Sequence, residues 1–135
     1  RPIVRCADKD RLTSVAAIDR ADVRVVVNPG GTNERFVREF IKTAPITVWE
    51  DNRTIFDRIA EGHADVMVTD GIEVDLQVVR HPGALCAANV SETFTKFEKA
   101  YWLRRDPAFK QAVDSWMTEA LASGKWKRFL DANLK

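Results

Sequence analysis

Three short valine-rich runs, "VRVVVN" at 23–28, "ITVW" at 46–49 and "ADVMVT" at 64–69, are separated by stretches whose apolar residues recur every three or four positions. Runs this short and this rich in β-branched residues predict buried strands. Between the first two, Phe36, Val37, Phe40 and Ile41 keep helical spacing; between the second and third, Ile55, Phe56, Ile59 and Ala60 do the same and stop at Gly62. Strands that alternate with single helices cross over right-handedly, which makes them parallel neighbours in one sheet. The chain therefore reads as α/β.

Beyond the third run, "GIEVDLQVVRHPG" predicts a short helix stopped by Pro82 and Gly83, with extended segments near 85–90 and again at "AYWLRR", residues 100–105. Phe109, Val113, Trp116, Met117, Ala120 and Leu121 form a helical stripe that starts behind Pro107 and stops at Gly124; Trp126, Phe129, Leu130 and Leu134 form a second. At the other end, residues 1–23 read as an extended piece, a polar stretch and one helical turn around Ser14 to Ile18. This is the pattern of a connector rather than a core element. The four tryptophans fall mostly at helix or strand core positions and read as packing.

Composition narrows the function. At 135 residues and 45% apolar, the chain has the size of roughly one domain and enough apolar side chains to bury a core. The 21 basic and 20 acidic residues nearly cancel and are scattered, which argues against a nucleic-acid partner. No apolar run reaches the length needed for membrane insertion. The chain opens on Arg1 without an initiator methionine or a leader, and so reads as a processed product or a fragment. Cys6 and Cys86 form no CxxC pair; they are two buried thiols or, in an oxidising compartment, a disulfide. His63 and His81 have no ligand-spaced neighbours, so no metal site is expected.

In an open parallel sheet a ligand lies outside the carboxyl ends of the strands. Those ends are Asn28-Pro29-Gly30-Gly31-Thr32-Asn33, Glu50-Asp51-Asn52 and Thr69-Asp70-Gly71-Ile72-Glu73. The glycine turn before a helix either leaves backbone N–H groups free for an anion or is an ordinary turn capped by Thr32 or Asn33. "NPGGTN" is neither GxGxxG nor a P-loop, which disfavours a nucleotide. Asp70 is a helix cap or the partner of an ammonium group; with the anion turn it would clamp a zwitterion such as an amino acid. Glu73, one turn further on, lies above the same crevice or is a solvated first-turn residue favoured by the helix dipole. Asn52 reads as a helix cap.

The strings "VVVNPGGTNERF", "DNRTIFDRIAEGHADVMVTDGIE" and "FEKAYWLRRDPAFKQAVDSWMTEALASGKWKRFLDANL" resemble the periplasmic cyclohexadienyl dehydratases, enzymes on the type II periplasmic solute-binding-protein fold. The resemblance implies a parallel-sheet lobe plus hinge strands and C-terminal helices of the other lobe. Residues 1–20 would be the first hinge crossing and connector, 21–97 the second α/β lobe, and 98–135 the return crossing and last helices of a first lobe otherwise absent from the chain. It implies a lyase that acts on prephenate or arogenate without a cofactor. Glu73 would be the general acid; Asn28, Gly31, Thr32 and Asn33 would hold a carboxylate and the ring hydroxyl region; and Asp70 would face the amino group of arogenate. Acting as an acid at neutral pH requires Glu73 to keep its proton, which desolvation on closure over substrate would supply. Gly71 stands where alanine is expected. An amino-acid-binding protein of a transporter shares the lobes and Asp70 but has no use for an acid at Glu73. Further expectations are a periplasmic location and a homo-oligomer formed through the exposed C-terminal helices.

Overall fold

The computed structural model describes residues 1–89 and 91–134, and the chain folds as two compact units that divide after Thr95. The first unit is built on five strands: β1 (Pro2–Arg5), β2 (Val25–Val27), β3 (Ile46–Val48), β4 (Val66–Val68) and β5 (Leu85–Ala87). They form one sheet in the order β3-β2-β4-β1-β5. The three valine-rich runs are parallel neighbours as expected, with Val25 opposite Ile46 on one side and Val66 on the other. Position 90, the end of the expected 85–90 segment, lies outside the described residues.

The N-terminal piece is a core element, contrary to its polar reading. β1 lies inside the sheet, antiparallel to both β4 and β5, with Ile3 opposite Met67 and Ala87, which makes the sheet mixed. Ile3 and Val4 are fully buried, as are Leu12 and Ile18 further along the stretch that reads as polar. A disulfide joins Cys6, just past β1, to Cys86 in β5, with Cα atoms 4.8 Å apart; the alternative of two free thiols is thereby set aside.

Successive strand side chains point to opposite faces, and the helices divide accordingly. Val25, Val27, Val66 and Val68 pack with Ile18 of α1 (Val15–Ile18) and with Phe36 and Val37 of α2 (Thr32–Phe40). Val26, Met67 and Ile3 pack with Ile55, Phe56 and Ile59 of α3 (Ile55–Ala60) and with Val74 of α4 (Gly71–Arg80). With a layer on each face, a strand needs no polar side, which is why these runs read as nearly continuous valine.

Two carboxylates fix loops that the apolar pattern leaves undefined. Asp65, 5% exposed, accepts hydrogen bonds from the Arg24 backbone N–H (2.8 Å), the Arg24 guanidinium and Arg5 Nη2 (2.9 Å). Burial pushes its carboxyl up, but the guanidiniums and the backbone N–H outweigh this and hold it below the usual carboxylate range. Asp19 Oδ1 gathers the backbone N–H groups of Lys42, Thr43 and Ala44, tying the end of α1 to the turn before β3.

The second unit consists of an irregular lead-in and two helices, α5 (Pro107–Ala122) and α6 (Lys125–Asn133). Asp106 caps α5 by accepting from Phe109 N–H at 3.0 Å, Pro107 opens it, and Gly124 at φ +69 turns the chain into α6. The extended segment expected at 100–105 forms no strand. The tryptophans are not uniformly packing residues either: Trp49 packs under the sheet, but Trp102 is fully exposed and Trp116 is 41% exposed.

Candidate active site

β2 and β4 are adjacent and parallel, so their carboxyl ends deliver Asn28 and Thr69 to the same rim of the sheet. Asn33, in the first turn of α2, bridges them: its Nδ2 donates to Asn28 Oδ1 at 3.2 Å and to Thr69 Oγ1 at 3.0 Å. The Thr69 hydroxyl in turn donates to Glu73 Oε2, one turn into α4. Asn28, Asn33, Thr69 and Glu73 thus form one continuous hydrogen-bonded chain that spans two strand ends and two helix starts. Thr69 is 4% exposed, whereas Asn28, Asn33 and Glu73 are half-buried, so the hydroxyl is the covered link of the network.

The glycine turn does not use the caps suggested by its sequence. Gly31 occupies the N-cap position of α2, with Thr32 exposed and Asn33 next in the first turn, and no side chain caps the helix from that position. Gly30 adopts φ +78, a conformation that favours glycine, and its N–H donates to Glu34 Oε2 at 2.6 Å. That bond and the Arg38 guanidinium lower the Glu34 carboxyl from its ordinary range. Asp70 stands at the N-cap position of α4, and its side chain makes no capping hydrogen bond. Beside it, the Arg1 guanidinium donates to Gly71 O and pairs with Asp75. A Cβ at Gly71 would lie 3.0 Å from Arg1 Nε, so this guanidinium fills the space where an alanine methyl was expected.

At the third strand end, Asp51 turns to Arg53, accepting from its backbone N–H at 3.0 Å and from its guanidinium. Asn52 is not the cap of α3; Thr54 holds that position, and its hydroxyl accepts from Trp49 Nε1 at 3.0 Å. Among the described residues no group of three or more His, Cys, Asp or Glu could hold a metal ion. His81 is engaged by Gln77 O and Asp57. A cleft of about 1030 Å³ lies in the second unit, lined by residues that include Tyr101, Val113, Met117 and Trp126, and it contains none of the rim residues.

Sequence reading passed over Thr69. The available signal was its position: a hydroxyl closing a buried strand, four residues before a glutamate on the following helix.

No protein-family model matches the sequence. The chain is 48% identical over 123 residues to the cyclohexadienyl dehydratase of Pseudomonas aeruginosa, an alignment that takes in 91% of this chain and 46% of that protein. Over nearly its whole length the chain is similar to a cyclohexadienyl dehydratase. A crystal structure of an ancestral cyclohexadienyl dehydratase is 42% identical, with a TM-score of 0.66 over 98% of this chain and 55% of that one. An amino acid transporter substrate-binding protein from Streptococcus pneumoniae, bound to L-arginine, superposes with a TM-score of 0.80 over 99% of this chain and 56% of its own, at 17% identity. That last likeness establishes the type II periplasmic-binding-protein fold alone. The chain spans about half the length of these dehydratase relatives. Among the described residues no helix is long and apolar enough to cross a membrane.

Proposed function

We propose that this chain supplies the acid-bearing lobe of a cyclohexadienyl dehydratase that converts prephenate to phenylpyruvate and arogenate to phenylalanine. The observation that carries the reading is the hydrogen-bonded chain Asn28–Asn33–Thr69–Glu73, which gathers the expected acid and two of its expected substrate-binding neighbours at one rim. In the reaction Glu73 gives its proton to the departing ring hydroxyl, which leaves as water with the C–O electron pair. The bond to the ring carboxylate breaks, carbon dioxide departs, and that electron pair completes the aromatic ring. Solvent then returns a proton to Glu73. The first N–H groups of α2, presented by Gly31 and Thr32, hold a substrate carboxylate, and Asp70 faces the amino group of arogenate.

Within this reading residues 1–20 lead in from the other lobe, 21–97 form the second lobe, and 98–135 return to the first. The Cys6–Cys86 disulfide supports an oxidising compartment, in keeping with the periplasm. The exposed faces of Trp116, Leu121 and Phe129 would be covered by the remainder of the first lobe or by a second copy.

The competing reading, an amino-acid-binding protein, is favoured by the fold alone, since the arginine-bound neighbour is only 17% identical. The test is a chimera in which this chain replaces the matching 123 residues of the Pseudomonas aeruginosa enzyme. The expected outcome is formation of aromatic product from prephenate or arogenate, followed by absorbance. Glu73→Gln should lower kcat by about 10²- to 10⁴-fold while substrate binding persists, because the amide keeps the size but not the proton. A folded chimera that binds an ordinary amino acid and turns over neither substrate hands the case to the transporter reading.

A further inference from the structure

The polarity of the rim network can be read from its donors. Asn33 Nδ2 carries two hydrogens, and both are committed, one to Asn28 Oδ1 at 3.2 Å and one to Thr69 Oγ1 at 3.0 Å. Thr69 Oγ1 therefore already accepts a hydrogen bond, and its single proton is directed to Glu73 Oε2. At 4% exposure the hydroxyl has little access to water, so turning away from Glu73 would leave its proton buried without an acceptor.

We infer that Thr69, oriented by Asn33, is a positioning residue that reserves Glu73 Oε2 as a hydrogen-bond acceptor and so leaves Oε1 as the oxygen that carries the catalytic proton. This deepens the dehydratase reading and rests on it for its catalytic meaning. A carboxylic acid whose proton sits on either oxygen offers the leaving hydroxyl a donor only part of the time. Fixing one oxygen as acceptor removes that ambiguity and holds the side chain against the sheet rim instead of letting it sweep through solvent. The same geometry changes what Asn33 offers a substrate. With both amide hydrogens engaged, only its carbonyl oxygen is available, which suits a ring hydroxyl and not a carboxylate.

Two measurements test this, and they fail separately. In this chain itself, carbon-13 NMR of the Glu73 side-chain carboxyl should show its resonance displaced in Thr69→Val, which keeps the shape and removes the hydroxyl, and returned toward the parent in Thr69→Ser. An unmoved resonance overturns the pairing whatever the enzyme assay shows. In the chimera, Thr69→Val should cost about 10- to 100-fold in kcat, the range for losing a hydrogen bond to the carboxylate that Glu73 becomes as its proton leaves, with KM within about 2-fold. Thr69→Ser should recover most of that loss, a rescue that mere cavity formation at a buried site would not produce. A chimera that works normally with Thr69→Val refutes the positioning role and leaves the dehydratase reading intact. An inactive parent chimera beside a displaced Glu73 resonance does the reverse.

Discussion

Residues 1–95 and residues 96–135 bury their apolar side chains to very different extents. In the first unit the central strands β2 and β4 are buried on both faces, and Phe56, Ile59, Met67 and Leu85 are essentially inaccessible. In the second, Ala120 is the one apolar residue that is buried among those described, while Phe109, Trp116, Leu121 and Phe129 remain 41–58% exposed along α5 and α6. Both segments carry equally clear helical stripes in sequence. The difference shows that an amphipathic pattern states which side of a helix seeks cover and says nothing of whether the same chain provides it. The rim that carries Glu73 belongs to the unit that completes its own core.

Core truncation is the strongest way to break that comparison. Phe56→Ala should cost about 3–5 kcal/mol in urea unfolding followed through the first unit, because the vacated space is enclosed by Ile55, Ile59 and the sheet. A loss below about 1 kcal/mol would mean that the unit is not autonomously packed.

Asp65 gives a somewhat smaller effect with a pH signature. Asp65→Asn should cost toward about 3 kcal/mol at neutral pH, the low end for breaking a buried pair, since both guanidiniums keep contact with water. Because the folded-state carboxyl titrates below its unfolded counterpart, its contribution is complete above about pH 3.9 and is lost as the pH falls further. Urea midpoints at pH 7 and pH 3 should therefore drop more in the parent than in Asp65→Asn. Equal drops would remove Asp65 from the acid sensitivity.

At the small end, Trp102→Ala should change the stability of the chain by no more than about 0.5 kcal/mol, as for surface positions that touch nothing critical. A larger loss would show that the second unit holds this indole in solution and would narrow the contrast between the two.

What could be read from the sequence follows from how far each signal reaches. β2, β3 and β4 and the helices between them were legible because valine runs and three-to-four spacing are local. β1 was legible only as an extended piece: "PIVR" is four residues long, and its place inside the sheet comes from pairing with Met67 and Ala87, more than sixty positions away. The Asp65 cluster was hidden for the same reason, since Arg5 and Arg24 become its partners only once β1 and β2 flank β4. At the rim, Asn28, Asn33 and Glu73 could be singled out from strand ends and helix starts. Thr69 could not, because the value of a hydroxyl depends on which rotamer its neighbours permit. The caps expected of Thr32 and Asn52 failed where a neighbouring residue, Gly31 or Thr54, took the helix start first.

The Cys6–Cys86 bond spans 80 positions and encloses all four rim residues within one covalent ring. A protease that cuts any exposed loop inside that ring would open the chain without releasing either piece. The nicked molecule would stay one covalent species, heavier by a single water, until a reductant separated it into fragments.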